Sequence, residues 1–598
     1  MQRFSTLIGV ILIGLSASCT QVQKSGSAVT ELQGQESIRL NQIGFYPNAP
    51  KVAIVTGKST GDKFYLKTQD LSKTVFTGSL SESQLTELSK KPTRVADFSQ
   101  FTKPGVYVLD IPGVGQSYPF EIKQQVHQEV AAAAMKGFYF QRLSVDLPVQ
   151  FAGKWHRPAG HPDVEVLVHP SAATAQRPAG TVISSPKGWY DAGDYNKYIV
   201  NSGITMGTLL SAYEDFPQFF KEQDLNIPES GNNVPDLLDE SLWNLRWMLT
   251  MQDPLDGGVY HKLTNANFEG MVMPHEATST RYVVQKGTAA SLDFAAVMAQ
   301  ASRVFKSYGR EFPGLSDSCL TAAKKAWEWA KKNPKVLYDQ DAMNKSFDPD
   351  VNTGAYGDKD VSDEFIWAAA ELYITTGQDS YYTSVNMVPD AKMPIPSWPQ
   401  VRLLGYYTLM RNIEKLSPVA KIDVGVIKDR LVQLANEMVQ GGAAGAYRTV
   451  MGRVTEDYIW GSSSVAANQG IVLVQAYKLT GDKKYLTAAL SNLDYLLGRN
   501  AVGYSFVTGF GEKSTKFPHH RPSVADKVVE PVPGLLSGGT NANANKQDKC
   551  EGYTSSFPDE MYLDHDCSYA SNEIAINWNA PLVYLASALE ALHKEAGL

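Results

Sequence analysis

The stretch Glu129-Val130-Ala131-Ala132-Ala133-Ala134-Met135-Lys136-Gly137-Phe138-Tyr139-Phe140 decides the fold, because the chain changes character there. Its alanines favour helix, and apolar side chains at three- and four-residue steps give that helix a face to bury. Toward the C-terminus, further amphipathic stretches start near Gly203, Pro235, Thr288, Ser316, Val361, Pro399, Val426, Ser463, Lys483 and Asn572. With one short helix unaccounted for, they number about a dozen. A dozen helices joined by alternately short and long loops are expected to pair and close into an (α/α)6 barrel, with the long loops lining a groove on one face. A helical solenoid shares this periodicity, but no fixed repeat length is visible.

Working outward toward the N-terminus, residues 38–123 read as short strands between Gly and Pro turns. Examples are Lys51-Val52-Ala53-Ile54-Val55, Lys63-Phe64-Tyr65-Leu66, Gly105-Val106-Tyr107-Val108-Leu109 and Tyr118-Pro119-Phe120-Glu121-Ile122. This pattern fits a small immunoglobulin-like β-sandwich without the Cys–Trp–Cys core of antibody domains. The expected molecule is mostly α, with the barrel over residues 124–598.

Ahead of the sandwich, Arg3 and the apolar run Phe4 to Leu15 read as an export signal too short to span a bilayer. Leu15-Ser16-Ala17-Ser18-Cys19 resembles a bacterial lipoprotein cleavage box, which makes 1–19 a signal peptide and Cys19 the site of lipidation. Ser16 stands where such a box usually has Leu, so plain signal cleavage and secretion stay open. Residues 20–37, rich in Gln, Ser and Gly, suit a flexible tether. The expected location is therefore the cell surface, outer membrane or periplasm, with membrane contact only through the lipid anchor. The net charge of −7 and the lack of a basic run exclude nucleic acid as a partner. Cys550 and Cys567 are near enough in sequence to close one loop as a disulfide, and Cys319 sits in a helical stretch as a buried thiol.

Gly188-Trp189-Tyr190-Asp191-Ala192-Gly193-Asp194-Tyr195-Asn196-Lys197-Tyr198 places two aspartates three apart in a loop before a helix. Hydrolysis of an acetal with inversion needs one carboxylate to take a proton from water and a partner to orient that water. A close aspartate pair supplies both, although Asp-x-Gly-Asp taken alone more often marks a turn or cap. The second stretch, Asn572-Glu573-Ile574-Ala575-Ile576-Asn577-Trp578, reads as a helix capped by Asn572 with Glu573 in its first turn. Burial among aromatics there would keep a glutamic acid protonated for use as a proton donor. Pro518-His519-His520-Arg521-Pro522 lies between them, and without a nearby carboxylate or thiolate its histidines suit sugar hydroxyls better than zinc.

These motifs, with the Gly509-Phe510-Gly511 loop, Gly257-Gly258-Val259-Tyr260-His261-Lys262, Tyr458-Ile459-Trp460-Gly461-Ser462 and the opening Ile38-Arg39-Leu40-Asn41-Gln42-Ile43-Gly44-Phe45, resemble glycoside hydrolase family nine, mostly endo-β-1,4-glucanases. The resemblance covers nearly everything after Ser37. It implies Asp194 as base, Asp191 as the residue sharing the water and Glu573 as acid. It also implies sugar contacts at His519, Arg521, Trp578 and Tyr260, with Trp460 and Trp398 as stacking platforms. Core packing is the competing reading for both platform tryptophans. Lys516-Phe517 departs from the Asn-Pro that many members carry before Pro518.

The implied enzyme is a monomer that needs no cofactor and cuts cellulose-like, mixed-linkage or xyloglucan chains. The loop Tyr356-Gly357-Asp358-Lys359-Asp360 leaves room for structural calcium, although it is not an EF-hand. Two other readings compete. An exo-acting glucosidase or glucosaminidase on the same fold would have a groove blocked at one end, and a non-catalytic glycan-binding protein would have no need of three intact acids.

Overall fold

A computed structural model describes residues 36–56 and 59–598. The expected signal peptide, Cys19 and most of the expected tether lie outside the described residues.

Strands between Ile38 and Ile122 form two facing sheets. One runs in the order Ile38–Arg39, Val52–Val55, Pro92–Asp97, Gln84–Leu85; the other runs Gly44–Phe45, Phe120–Ile122, Gly105–Ile111, Lys63–Thr68, Thr74–Ser79. Alternation turns Phe64 and Leu66 inward on one strand and Tyr107, Leu109 and Ile111 inward on another. The ring of Phe45 meets those of Phe98 and Phe120 edge-on, both with centroids 5.4 Å apart. The sandwich is pinned to the helices by buried polar contacts: Asn41 Nδ2 donates to Asp494 Oδ1 (2.8 Å), and Tyr46 Oη donates to Glu590 Oε1 (2.8 Å).

Twelve helices then alternate in chain order between an outer and an inner ring. The outer ones are Gln128–Phe140, Asp236–Thr250, Leu315–Lys332, the single turn Asp379–Thr383, Pro418–Ala444 and Lys483–Leu496. The inner ones are Ile199–Asp215, Thr288–Phe305, Ser362–Thr376, Arg402–Arg411, Ser462–Thr480 and Ile576–Ala596. Sequence explains the split. Outer helices such as Leu315–Lys332 carry lysines on one face and bury Cys319, Ala322, Ala326 and Trp329 on the other. Inner helices such as Thr288–Phe305 are buried nearly all round and carry Ala, Ser and Val where neighbours crowd them. The helix missing from the sequence reading is the single turn at Asp379, too short to show a period.

Connections from inner to outer helices are mostly tight, whereas those from outer to inner are long, so the long loops gather at the N-termini of the inner ring. Within them lies a small sheet, in the order Val182–Ile183, Val166–Val168, Arg281–Val283, Lys262–Asn265, Lys197–Tyr198. Sequence reasoning missed it because its strands are only two to four residues long.

Candidate active site

The aspartate loop is fixed before it does any chemistry. Trp189 is wholly buried and its Nε1 donates to Glu240 Oε1 (2.7 Å). Gln141 Nε2 donates to the Ala192 carbonyl (3.0 Å), and its Oε1 lies 3.0 Å from His520 Nε2. His520 is therefore a buried brace for the loop, and only His519 of the histidine pair is left for sugar.

The far motif is brought to this loop by backbone pairing. Ala575 forms a bridge with Ala192, His519 forms one with Glu573, and the Arg521 guanidinium donates to the Gly193 carbonyl (2.8 Å). A Cβ on Gly193 would fall 2.0 Å from the His519 carbonyl oxygen, so glycine is needed there for space. Glu573 does not sit in the first turn of a helix, as the sequence suggested. The chain is extended there (φ −68°, ψ 156°), and the helix starts only at Ile576. The bridges of residues 573–575 claim the backbone groups that a helical start would have used.

The two aspartates are held differently. Asp191 has a donor on each oxygen: Asn201 Nδ2 on Oδ1 and Tyr356 Oη on Oδ2, both at 2.8 Å. Asp194 gathers its donors on Oδ2, from Asn196 Nδ2 (2.5 Å) and Tyr198 Oη (3.2 Å), which leaves Oδ1 for a water. Burial and the charge of Asp194 push the Asp191 carboxyl well above its usual range. Burial followed by the charge of Asp194 also raises Glu573 well above the ordinary glutamate value, although Arg521 pulls it down. A proton donor needs that direction.

His519 Nδ1 lies 2.5 Å from the Asp566 carbonyl, which can only accept, so Nδ1 carries the proton. Burial lowers the pKa of this ring and keeps it neutral. Its ring meets that of Tyr569 edge to face (5.8 Å between centroids), and Tyr569 in turn lies 5.4 Å from Trp460. Trp460 is 39 % exposed and free to stack on a ring. A second aromatic row runs from Tyr198 through Tyr356 to the half-buried Trp398, with centroids 4.7 and 5.3 Å apart. Trp578 is buried beside Gly461 and Gly538 and shapes the wall rather than offering a face.

Tyr260 needs correction as a substrate contact. It is 0 % exposed, receives a hydrogen bond from Arg177 Nη1 (3.1 Å) and donates to Asp253 (3.3 Å), so no sugar reaches it. Sequence reasoning also missed Asn201, Tyr356 and Tyr569. Asn196 and Tyr198 stood inside the quoted motif, but Tyr356 is 165 residues from the aspartate it contacts, and no local pattern signals that.

Cys550 and Cys567 are bonded, with Cα atoms 5.7 Å apart. With His565 they are the one trio of His, Cys, Asp or Glu among the described residues with ligand atoms within 4.8 Å, and the disulfide already occupies both sulfurs. A wider acidic group fits a hard cation better. Both oxygens of Asp293, Glu364 Oε2 and Asp358 Oδ2 are buried without a hydrogen-bond partner among the described residues, and Asp363 lies beside them.

Comparison with known proteins places both parts of the chain in known families. Residues 127–586 match the model of glycosyl hydrolase family 9, and residues 33–116 match that of the cellulase N-terminal ig-like domain. The chain is 46 % identical over 591 residues to a xyloglucan-specific endo-beta-1,4-glucanase, BoGH9A, of Bacteroides ovatus, covering 99 % of this chain and 98 % of that one. It is 33 % identical to endoglucanase D of Acetivibrio thermocellus over 97 % of this chain and 85 % of that protein. The solved Bacteroides ovatus GH9 structure superposes with a TM-score of 0.88 at 46 % identity, over 93 % of this chain and 99 % of that one. From its paired aspartates to its terminal helix, this chain belongs to glycosyl hydrolase family 9.

Proposed function

We propose that this chain is an inverting endo-β-1,4-glucanase whose preferred substrate is a soluble, side-chain-bearing glucan of the xyloglucan type. The observation that carries the mechanism is the pairing of Glu573 and Ala575 with His519 and Ala192, which sets a protonated acid against an aspartate pair. Asp194 takes a proton from water held between Oδ1 and Asp191, the water attacks the anomeric carbon, and Glu573 protonates the leaving oxygen. Arg521 and His519 hold the sugar at the point of cleavage. Support for xyloglucan comes from the full-length similarity to a glucanase named for that substrate. The rows ending in Trp460 and Trp398 supply stacking faces for glucose rings. In a panel of xyloglucan, mixed-linkage glucan and carboxymethylcellulose, xyloglucan viscosity should fall fastest and before reducing ends accumulate. NMR should show the α-anomer first. Release of only mono- or disaccharide from the outset, or the β-anomer first, refutes the reading.

The orphaned oxygens of Asp293, Asp358 and Glu364, with Asp363, fit a structural Ca²⁺, which would neutralise carboxyls now raised by burial and mutual repulsion. Chelation by EGTA should lower Tm and added Ca²⁺ should restore it. A Tm insensitive to both treatments removes calcium from the account.

A further inference from the structure

The Gly257–Lys262 stretch carries a group that the mechanism above does not use. Lys262 is 0 % exposed, and its strand Lys262–Asn265 pairs with Lys197–Tyr198, the strand directly after the aspartate loop. Its Nζ donates to Gln340 Oε1 (2.7 Å), Thr353 Oγ1 (3.0 Å) and the Gly354 carbonyl (2.7 Å). An ammonium only donates, so the hydroxyl of Thr353 passes its own proton on to Thr264 Oγ1 (2.6 Å). Thr264 in turn has its one proton to share between Asn196 Oδ1 (3.0 Å) and the adjoining Asn265 carbonyl (2.9 Å). The backbone N–H of Asn265 also donates to Asn196 Oδ1 (2.9 Å), which fixes the amide and turns Nδ2 onto Asp194 Oδ2. A second route runs from Gly354, whose N–H donates to Tyr198 Oη (3.1 Å), and Tyr198 then donates to the same oxygen of Asp194.

We propose that Lys262 is a positioning residue for catalysis: a buried cation whose donor chain through Thr353, Thr264 and Asn196 holds Asp194 Oδ2 in place and keeps Oδ1 toward water. This rests on the reading of Asp194 as the base. Burial pulls the Lys262 ammonium down to about 7 while the charge of Asp194 resists, so the two groups feel one another. Lys262 also faces His261 and the rings of Tyr198 and Tyr338. Asp194 also faces Asp191, Glu573, Tyr198, Tyr356 and His519, and Arg521 donates to the neighbouring Gly193 carbonyl; none of these is altered in the test.

Removing the cation takes away the anchor of that chain and frees the Asp194 carboxyl to turn. In the full-length enzyme, Lys262→Met should lower kcat about tenfold with KM within about twofold, and Lys262→Arg should restore kcat. If Lys262→Met does not fold by circular dichroism, Thr264→Val decides, because it cuts the chain while leaving the cation in place; kcat should then fall several-fold at unchanged KM. Wild-type kcat in folded Lys262→Met, or in Thr264→Val where the methionine variant is unfolded, overturns the proposal. Near-normal activity of Asp194→Asn would instead overturn the reading beneath it.

Discussion

Asp194 and Glu573 line one groove, but Asp194 is met by donors from Asn196 and Tyr198, whereas the carboxyl of Glu573 receives no side-chain hydrogen bond among the described residues. The base side rests on a small sheet with a buried network behind it. The acid side rests on extended backbone between loops, and Glu573 is itself half-buried. Side-chain donors favour a carboxylate, while burial beside a like charge favours the acid form. The same functional group thus acquires opposite roles from its supports, and the supports differ because the roles do.

The comparison breaks most visibly where each carboxyl is removed. Asp194→Asn and Glu573→Gln should each cost at least ~10²-fold in kcat on polysaccharide, because each abolishes a proton transfer. The two variants should part on an aryl β-cellobioside with an acidic phenol. That leaving group needs little protonation, so Glu573→Gln should recover much of its loss while Asp194→Asn should not. Asp191→Asn should cost less than either, since it orients the water without taking its proton. Equal losses on both substrates for Asp194→Asn and Glu573→Gln would mean that the roles are not divided in this way.

Legibility in the sequence followed the same division. The inner and outer helices could be read because burial on all sides and burial on one side leave different periodicities, as in Thr288–Phe305 and Leu315–Lys332. Asp191, Asp194 and Glu573 could be named because their motifs are compact and ordered. What could not be read was support that arrives from a distance. Lys262 reaches Asp194 through residues near 353, and Tyr356 reaches Asp191 from another loop. The position of Glu573 ahead of its helix depended on strand-like bridges to residues 192 and 519, which no helical pattern encodes. Tyr260 was misread for the converse reason: its motif resembled the family, but its ring is spent on Arg177 and Asp253.

The smallest expected effect tests how the acid side is clasped. Cys550–Cys567 closes a loop with a sequence separation of 17, and the residue before Cys567 supplies the carbonyl that fixes the tautomer of His519. Opening the bond frees the unfolded chain by about 3 kcal/mol in the loop-entropy account. Spread over a chain of this length, that lowers Tm by only about 2 °C. The loop keeps other ties: Tyr569 Oη donates to the Gln547 carbonyl (2.7 Å), Tyr553 Oη lies 2.6 Å from both Asp548 Oδ2 and Ser568 Oγ, and Asn572 Nδ2 donates to the Phe517 carbonyl (2.6 Å). The double variant Cys550→Ser with Cys567→Ser should therefore keep kcat/KM within about threefold of wild type, since the ties around His519 survive the cut. A loss beyond ~10²-fold at nearly unchanged Tm would show that the bond itself places His519, because misplacement of about 1 Å is enough for such a loss. The acid side would then depend on a single covalent clasp, where the base side depends on a network.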